Sequence, residues 1–281
     1  MPSVCTSRSL RRRPGRPTLT VVPYDARLRG PTVICLMAGS AIVYLGIIIV
    51  VTGLVCCVKP VGLIGVATRK RALIIVAAGA CIAGIGLLLP VSESHIAHKQ
   101  TRLDEFAPAW QFNERHALAI AAPPDRVFEA IRRVKADEIA FFRLLTWIRR
   151  GGRPIPPGVL NAGVDKPLLD LVTETSFVWL ANEPPHELVV GTVIAAPSGT
   201  RGRLTPEVFK KTLPPGFVLA TMNFAVAPDG RGGSNVVTET RVFANSPGVT
   251  RAFAAYWRVI YPGSAIIRRM WLRAIERRAT A

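Results

Sequence analysis

Cysteine is absent from residue 82 onward, because all five cysteines lie before that position. Histidine is almost as scarce, with four in the chain, and only His116 and His186 fall within predicted folded segments. There is also no glycine-rich phosphate-binding loop. A hydrolase needs a nucleophile beside a base, and a metal enzyme needs three or four converging ligands. The sequence supports neither class, so we expect no metal site and no cofactor.

Acidic residues are scarce at the N-terminal end of the chain. Residues 1–90 carry 11 Lys and Arg against one acidic residue, whereas residues 91–281 carry 25 against 17. Over half of the net charge of +18 therefore lies in the first 90 residues. No nucleic-acid-binding motif accompanies these charges, whereas acidic lipid headgroups attract basic segments beside a membrane. The composition favours a membrane partner and argues against nucleic acid.

Charges are nearly missing between residues 31 and 90, where only Lys59 and the triplet Arg69 to Arg71 are charged. Val33–Val58 is an uncharged run of 26 residues and Ala72–Leu89 one of 18, and about 20 apolar residues cross a bilayer as a helix. We predict two transmembrane helices, at about 33–58 and 72–90. The alternatives are a pair of buried core helices or a signal peptide, whose apolar region is shorter.

Basic residues that flank the two runs predict their orientation. Seven arginines precede the first run, and Lys99 and Arg102 follow the second. We therefore expect a multi-pass protein of the cell membrane with both ends in the cytoplasm, although the triplet between the runs argues for the opposite orientation. Residues 1–30 read as a basic disordered tail, and the polar residues 91–111 read as a linker.

From residue 112 the pattern indicates an α+β domain that extends to residue 281. A strand (114–121) leads into "APPDRVFEAI" and a second helical stretch, "IAFFRLLTWIRR". Four β-rich runs follow at 173–182, 186–195, 217–227 and 235–244. Strands in succession without helices between them imply an antiparallel sheet.

The last segment reads as one long helix despite its Pro262-Gly263 pair. Apolar or small residues continue through that pair in helical register, at Phe253, Trp257, Ile260, Ser264, Ile267 and Trp271. We expect Pro262 to bend the helix without ending it. The register places Trp257 against the sheet, and it places Arg258 and Arg269 outside.

This order of elements resembles the START-related helix-grip superfamily (SRPBCC, polyketide cyclase-like). The residues that carry the resemblance are the strand ending in "APPDRVFEAI", the two short helices, the meander of strands with "TETRV", and the long closing helix. The resemblance covers residues 112–279. It implies a curved antiparallel sheet around the C-terminal helix with a cavity between them, and it allows carriers, receptors and enzymes.

The residues that could line such a cavity fall into two groups. Glu239 and Arg241 lie two apart on one strand and share a face. If that face is inward, they could bind a polar group or perform acid–base chemistry; if it is outward, they are surface charges. The bulky apolar candidates for the cavity wall are Trp147, Trp179, Met222, Phe224, Phe253 and Trp257.

Three functional hypotheses remain open. The first is a membrane-anchored domain that binds or transfers a hydrophobic small molecule, such as a lipid or a polyketide- or isoprenoid-like compound. The second is a cyclase- or aromatase-like enzyme that works in the same cavity without a cofactor. The third is a membrane interaction module without a ligand. Whether the chain is catalytic, which ligand it takes and its oligomeric state are open from sequence.

Overall fold

The computed structural model describes residues 31–59, 68–149, 152, 166–200, 202 and 204–281, with the backbone alone for residues 31–37 and Arg149. The predicted basic tail at 1–30 lies outside the described residues. The helices and strands, in chain order, are α1 (Pro31–Val58), α2 (Arg69–Leu88), β1 (Ser94–His95), α3 (Leu103–Phe106), β2 (Ala109–Trp110), β3 (Phe112–Ile120), α4 (Pro124–Arg133), α5 (Phe142–Arg149), α6 (Leu168–Thr175), β4 (Val178–Glu183), β5 (Glu187–Ala195), β6 (Val218–Pro228), β7 (Ser234–Ala244) and α7 (Pro247–Thr280).

Two helices of the chain, α1 and α2, are long and apolar enough to cross a membrane. They pack as an antiparallel hairpin through glycines, since a β-carbon at Gly46 would lie 2.7 Å from the carbonyl oxygen of Gly79. Small residues allow such close approach of helix backbones. The second helix begins at Arg69, three residues before the predicted span, because Thr68 caps it by accepting a hydrogen bond from the backbone N–H of Arg71.

The rest of the chain is built around a five-stranded antiparallel sheet in the order β3-β7-β6-β5-β4. Helix α7 packs across one face of this sheet, where the ring centroids of Phe112 and Phe253 lie 4.8 Å apart and those of Phe224 and Trp271 lie 5.0 Å apart. We call this the inner face and the opposite one the outer face. A curved sheet gripping a long C-terminal helix confirms the predicted α+β, helix-grip fold class.

The inner face carries two apolar cores along α7. The near core, closest to the α1–α2 hairpin, contains Phe112, Val218, Val242, Phe253 and Trp257. The far core contains Ile120, Phe128, Phe224, Val236 and Trp271. Even-numbered residues of β6 and β7 therefore face α7, and odd-numbered residues face away, because side chains alternate along a strand.

Helix α7 continues through Pro262, as its sequence register predicts. Trp257 is buried against the sheet and Arg269 is exposed, which confirms both expectations. The expectation for Arg258 is wrong, because its side chain is only 1% exposed. Its guanidinium donates hydrogen bonds to the carbonyl oxygens of Leu87 and Leu89. The last carbonyls of a helix have no partner within the helix, so the end of α2 offers acceptors to this arginine.

Residues 91–111, predicted to be a linker, carry ordered elements that pack on the outer face. Strands β1 and β2 pair with each other, and α3 lies against the sheet. Leu103 and Phe106 are buried with Val189 and Phe209. The short length of these elements explains why no periodicity is visible in the sequence. Residues 173–175, predicted to begin a strand, instead end α6.

Candidate functional site

A layer of polar residues separates the two cores on the inner face. Glu114 is 2% exposed, and its carboxylate accepts a hydrogen bond from Ser264 Oγ at 2.6 Å. Its other oxygen lies 2.8 Å from His116 Nε2. Glu114 and His116 are two residues apart on β3, so both project toward α7, and Ser264 projects from α7 to meet them. Thr240 lies directly opposite Glu114 in the pairing of β3 with β7. We call Glu114, His116, Thr240 and Ser264 the polar layer.

Three buried polar atoms between the sheet and α7 have no hydrogen-bond partner within the described part of the chain. They are the hydroxyl of Thr240 and the indole nitrogens of Trp257 and Trp271. Buried polar groups are hydrogen-bonded in most proteins, so each exception calls for an explanation such as a water molecule or a ligand. Only the Thr240 hydroxyl belongs to the polar layer, which therefore combines a carboxylate, an imidazole and two hydroxyls, one of them unpartnered among the described residues.

The bulky apolar residues predicted to line a cavity lie in the far core, in the near core and on α5. Met222, Phe224 and Trp179 belong to the far core or pack against it, while Phe253 and Trp257 belong to the near core. The sequence candidates thus include the walls on both sides of the polar layer but omit the layer itself. Phe112, Glu114 and His116 are two residues apart along β3 and therefore share one face, and this spacing could have predicted the polar layer from the sequence. Trp147 is different, since it lies on α5 with its side chain about half exposed.

Glu239 and Arg241 lie on the outer face and therefore do not line the space between the sheet and α7. They are not surface charges either, because residues 91–111 cover them. Arg241 donates to Glu239 and to Asp104, both at 2.7 Å, and its guanidinium lies 4.1 Å above the ring of Trp110. These contacts fasten α3 and β2 to the outer face. Their role in the fold is to hold the covering segment in place.

The pKa values of two buried carboxylates on the outer face, those of Asp104 and Glu187, are shifted in opposite directions. Burial alone would raise the pKa of Asp104, but hydrogen bonds from the backbone of Gln100 and from Arg241 outweigh it, so the pKa lies below its ordinary value. Burial raises the pKa of Glu187, and hydrogen bonds from Asn223 and the backbone N–H of Arg102 offset only part of that effect. Asp104 differs from Glu187 because the guanidinium of Arg241 lies beside it and favours its ionised form.

A cavity of about 840 Å³ lies where the α1–α2 hairpin meets the domain. Its walls come from the end of α2 with the residues that follow it, from the end of β7, and from the first turns of α7. The apolar part of the lining consists of Leu87, Leu88, Leu89, Pro90, Val91, Phe243, Ala244, Pro247, Ala254 and Ala255, and the polar part includes Glu93, Gln111, Asn245, Thr250 and Arg251. We call this space the junction cavity. Its volume falls within the range of small-molecule sites.

A second cavity, of about 420 Å³, lies on the outer face. Its apolar wall includes Phe106, Phe209, Phe217 and Leu219, and the cavity candidate Arg241 also lines it. Phe243 and Asn245 line both this cavity and the junction cavity. Among the described residues, no group of three or more His, Cys, Asp or Glu side chains could hold a metal ion.

Comparison with known proteins gives no family. No protein-family model matches the chain, and no curated protein matches it. Solved structures that match include TTHA0849 from Thermus thermophilus, at 14% identity and a TM-score of 0.24, over 60% of this chain and 97% of that one. CalU16 from Micromonospora echinospora matches at 14% identity and a TM-score of 0.23, over 68% of this chain and 92% of its own.

The Zhui aromatase/cyclase from Streptomyces sp. R1128 matches at 15% identity and a TM-score of 0.25, over 59% of this chain and 94% of its own. At these identities and TM-scores the likenesses carry no conclusion about what this chain binds or does.

Proposed function

We propose that this chain is a membrane-anchored domain that binds or transfers a hydrophobic small molecule, such as a lipid or a polyketide- or isoprenoid-like compound. The observation that carries the proposal is the position of the junction cavity. It begins at Leu87 and Leu88, where the apolar helix α2 ends, and it extends into the domain along an apolar wall. A cavity at that level can receive an apolar molecule from the bilayer without passing it through water.

The anchoring of the domain supports the same proposal. Tyr44 of α1 donates a hydrogen bond to the carbonyl of Val259 at 2.7 Å, and Arg258 binds the end of α2. These bonds join the hairpin to α7, so the junction cavity keeps a fixed position relative to both. That the two helices span the cell membrane, with the domain in the cytoplasm, stays a prediction from the flanking arginines. Labelling of Asp229→Cys by an impermeant thiol reagent in intact cells would refute that orientation.

The test is the ligand content of the protein purified in mild detergent, measured by native mass spectrometry and by solvent extraction. Ala255 lines the junction cavity and Ala252, three residues earlier on α7, is exposed and does not. We expect a bound apolar molecule with the natural chain. Ala255→Trp should lose most of it because the indole fills the cavity, whereas Ala252→Trp should retain it. Equal ligand content in the two variants would contradict the proposal.

The polar layer favours a second function, a cofactor-independent cyclase- or aromatase-like enzyme. Glu114 beside His116 provides a carboxylate and an imidazole that can move a proton, and the open hydroxyl of Thr240 can orient a polar group. An enzyme would convert the molecule that it binds. Incubation of an extracted ligand with fresh protein should then change the mass of the ligand, and Glu114→Gln should abolish that change. An unchanged mass with the natural chain would leave only the binding function.

A further inference from the structure

Helix α5 carries an apolar face that the rest of the described chain leaves uncovered. Phe141, Leu144, Trp147 and Ile148 have side chains between 48% and 62% exposed. They are spaced three or four residues apart and therefore share one side of the helix. The opposite side is occupied, because Phe142 packs against the far core. A contiguous exposed patch of this size is characteristic of a protein or membrane contact.

The conformation of Phe141 is a second, independent observation. Its φ of 61° lies in the left-handed region, which non-glycine residues seldom adopt. Such a residue costs about 1–3 kcal/mol and persists where the surroundings or the function demand it. Here the strained residue holds an aromatic ring in solvent at the start of α5. Burial within the domain does not explain that placement.

Arg258 indicates where the surface of the bilayer lies relative to the domain. Its guanidinium binds the carbonyls that end α2, and a β-carbon on Gly39 of α1 would lie 2.7 Å from its Nε. Gly39 lies eight residues after the first residue of α1, so it is the end of α2 that sets the level. A charged group at the end of an apolar helix belongs at the level of the lipid headgroups. Tyr44, which binds the carbonyl of Val259, is five residues further along α1, about 7 Å deeper at 1.5 Å per residue.

Helix α5 lies close to this level. A β-carbon on Gly263 would lie 3.9 Å from Leu145 Cδ2, so α5 packs against α7 at Gly263. Gly263 is four residues from Val259, which limits their separation along the helix to about 6 Å in any direction. Gly263 is also five residues from Arg258, so the contact with α5 lies within about 8 Å of the level of the Arg258 backbone, whichever way α7 is inclined. Val259 and Ile266, four residues before and three after Gly263, lie on the same side of α7 as Gly263 and are 44% and 41% exposed.

The charges around this patch suit an acidic membrane surface. From Ile139 to Arg149 the sequence includes two arginines, Arg143 and Arg149, and no acidic residue. Interfacial helices combine basic residues with large apolar side chains, and tryptophan favours the headgroup level.

From this arrangement we propose that α5 is a third membrane contact: its Phe141, Leu144, Trp147 and Ile148 face inserts into the headgroup region of the same bilayer that α1 and α2 span. The inference rests on the anchoring in the proposed function. It adds that the domain lies on the membrane surface, with α5 beside the hairpin, instead of extending from it on a tether. Acidic lipids should strengthen the contact because Arg143 is exposed beside it.

The test places one fluorescent label at a time on the full chain, with its five native cysteines replaced by alanine, in phosphatidylcholine vesicles with and without phosphatidylglycerol. The labelled positions are Leu144→Cys and Ile148→Cys on α5, Val51→Cys on the exposed side of α1, and Asp229→Cys in the turn between β6 and β7. Lipids with a doxyl quencher near the headgroup or deep in the acyl chain report the depth of each label.

We expect the shallow quencher to reduce fluorescence strongly at positions 144 and 148, and more so with phosphatidylglycerol. The deep quencher should act at position 51, and neither should act at position 229. Quenching at 51 with none at 144 and 148 would overturn the α5 contact and leave the anchoring intact. No quenching at 51 would overturn the anchoring, and with it both the proposed function and this inference.

Discussion

At the scale of single residues, Trp257 and Arg258 are neighbours that are both buried, each against a different partner. Trp257 contacts the sheet, with its ring centroid 6.0 Å from that of Phe112. Arg258 points the other way and binds the end of α2. One helical turn of α7 thus contacts the domain on one side and the hairpin on the other. The register of the sequence identifies the first contact but not the second, because the partners of Arg258 are backbone carbonyls, which any sequence supplies.

A pair of substitutions on α7 tests this packing. Trp257→Ala should lower the free energy of unfolding of the full chain in detergent by about 3–5 kcal/mol, because it leaves a large space in the near core. Arg269→Ala should leave the unfolding curve nearly unchanged, since that side chain is exposed. Chemical denaturation followed by circular dichroism measures both. Small and equal effects would show that the Trp257 side of α7 is not the buried one.

The ionisation of Asp104 makes the stability of the fold depend on pH. Its pKa is lower in the folded chain than the ordinary value of about 3.9, so its ionised form stabilises the fold above that value. The contribution disappears as the pH falls through the lower pKa of the folded state. Asp104→Asn should therefore cost about 1.5–3 kcal/mol at neutral pH, and the difference from the natural chain should shrink in acid.

Unfolding midpoints from neutral to acidic pH measure the effect of Asp104→Asn, with the exposed Asp137→Asn as the control. A difference that stays constant across the acidic range would mean that Asp104 contributes through shape alone.

At the scale of elements, the sequence predicts those whose pattern is long enough to repeat. The two apolar helices, the antiparallel strands and the continuous helix α7 all have such patterns, and the structure contains them. Helix α3 has four residues and strands β1 and β2 two each, too few for any period. They are held by long-range contacts such as Arg241 with Asp104, 137 residues apart. The same limit applies to the polar layer, since Ser264 meets Glu114 across 150 residues.

At the scale of the whole molecule, the hairpin and the domain form a continuous packed structure. Tyr44 and Arg258 bind across their boundary, and the junction cavity lies in that boundary. This arrangement explains how one chain could accept an apolar molecule from a bilayer and hold it in a protein cavity.

Entry of a lipid-like molecule into the junction cavity is tested most directly by photo-cross-linking with a diazirine-bearing fatty acid, in vesicles that contain the full chain, followed by peptide mapping. Labels on α1 and α2 are expected from lipid contact alone. The decisive segment is 243–255, which lines the junction cavity. We expect labelling there that excess unlabelled fatty acid suppresses and that Ala255→Trp removes but Ala252→Trp does not. Labelling confined to α1 and α2 would contradict the binding of an apolar molecule in this cavity.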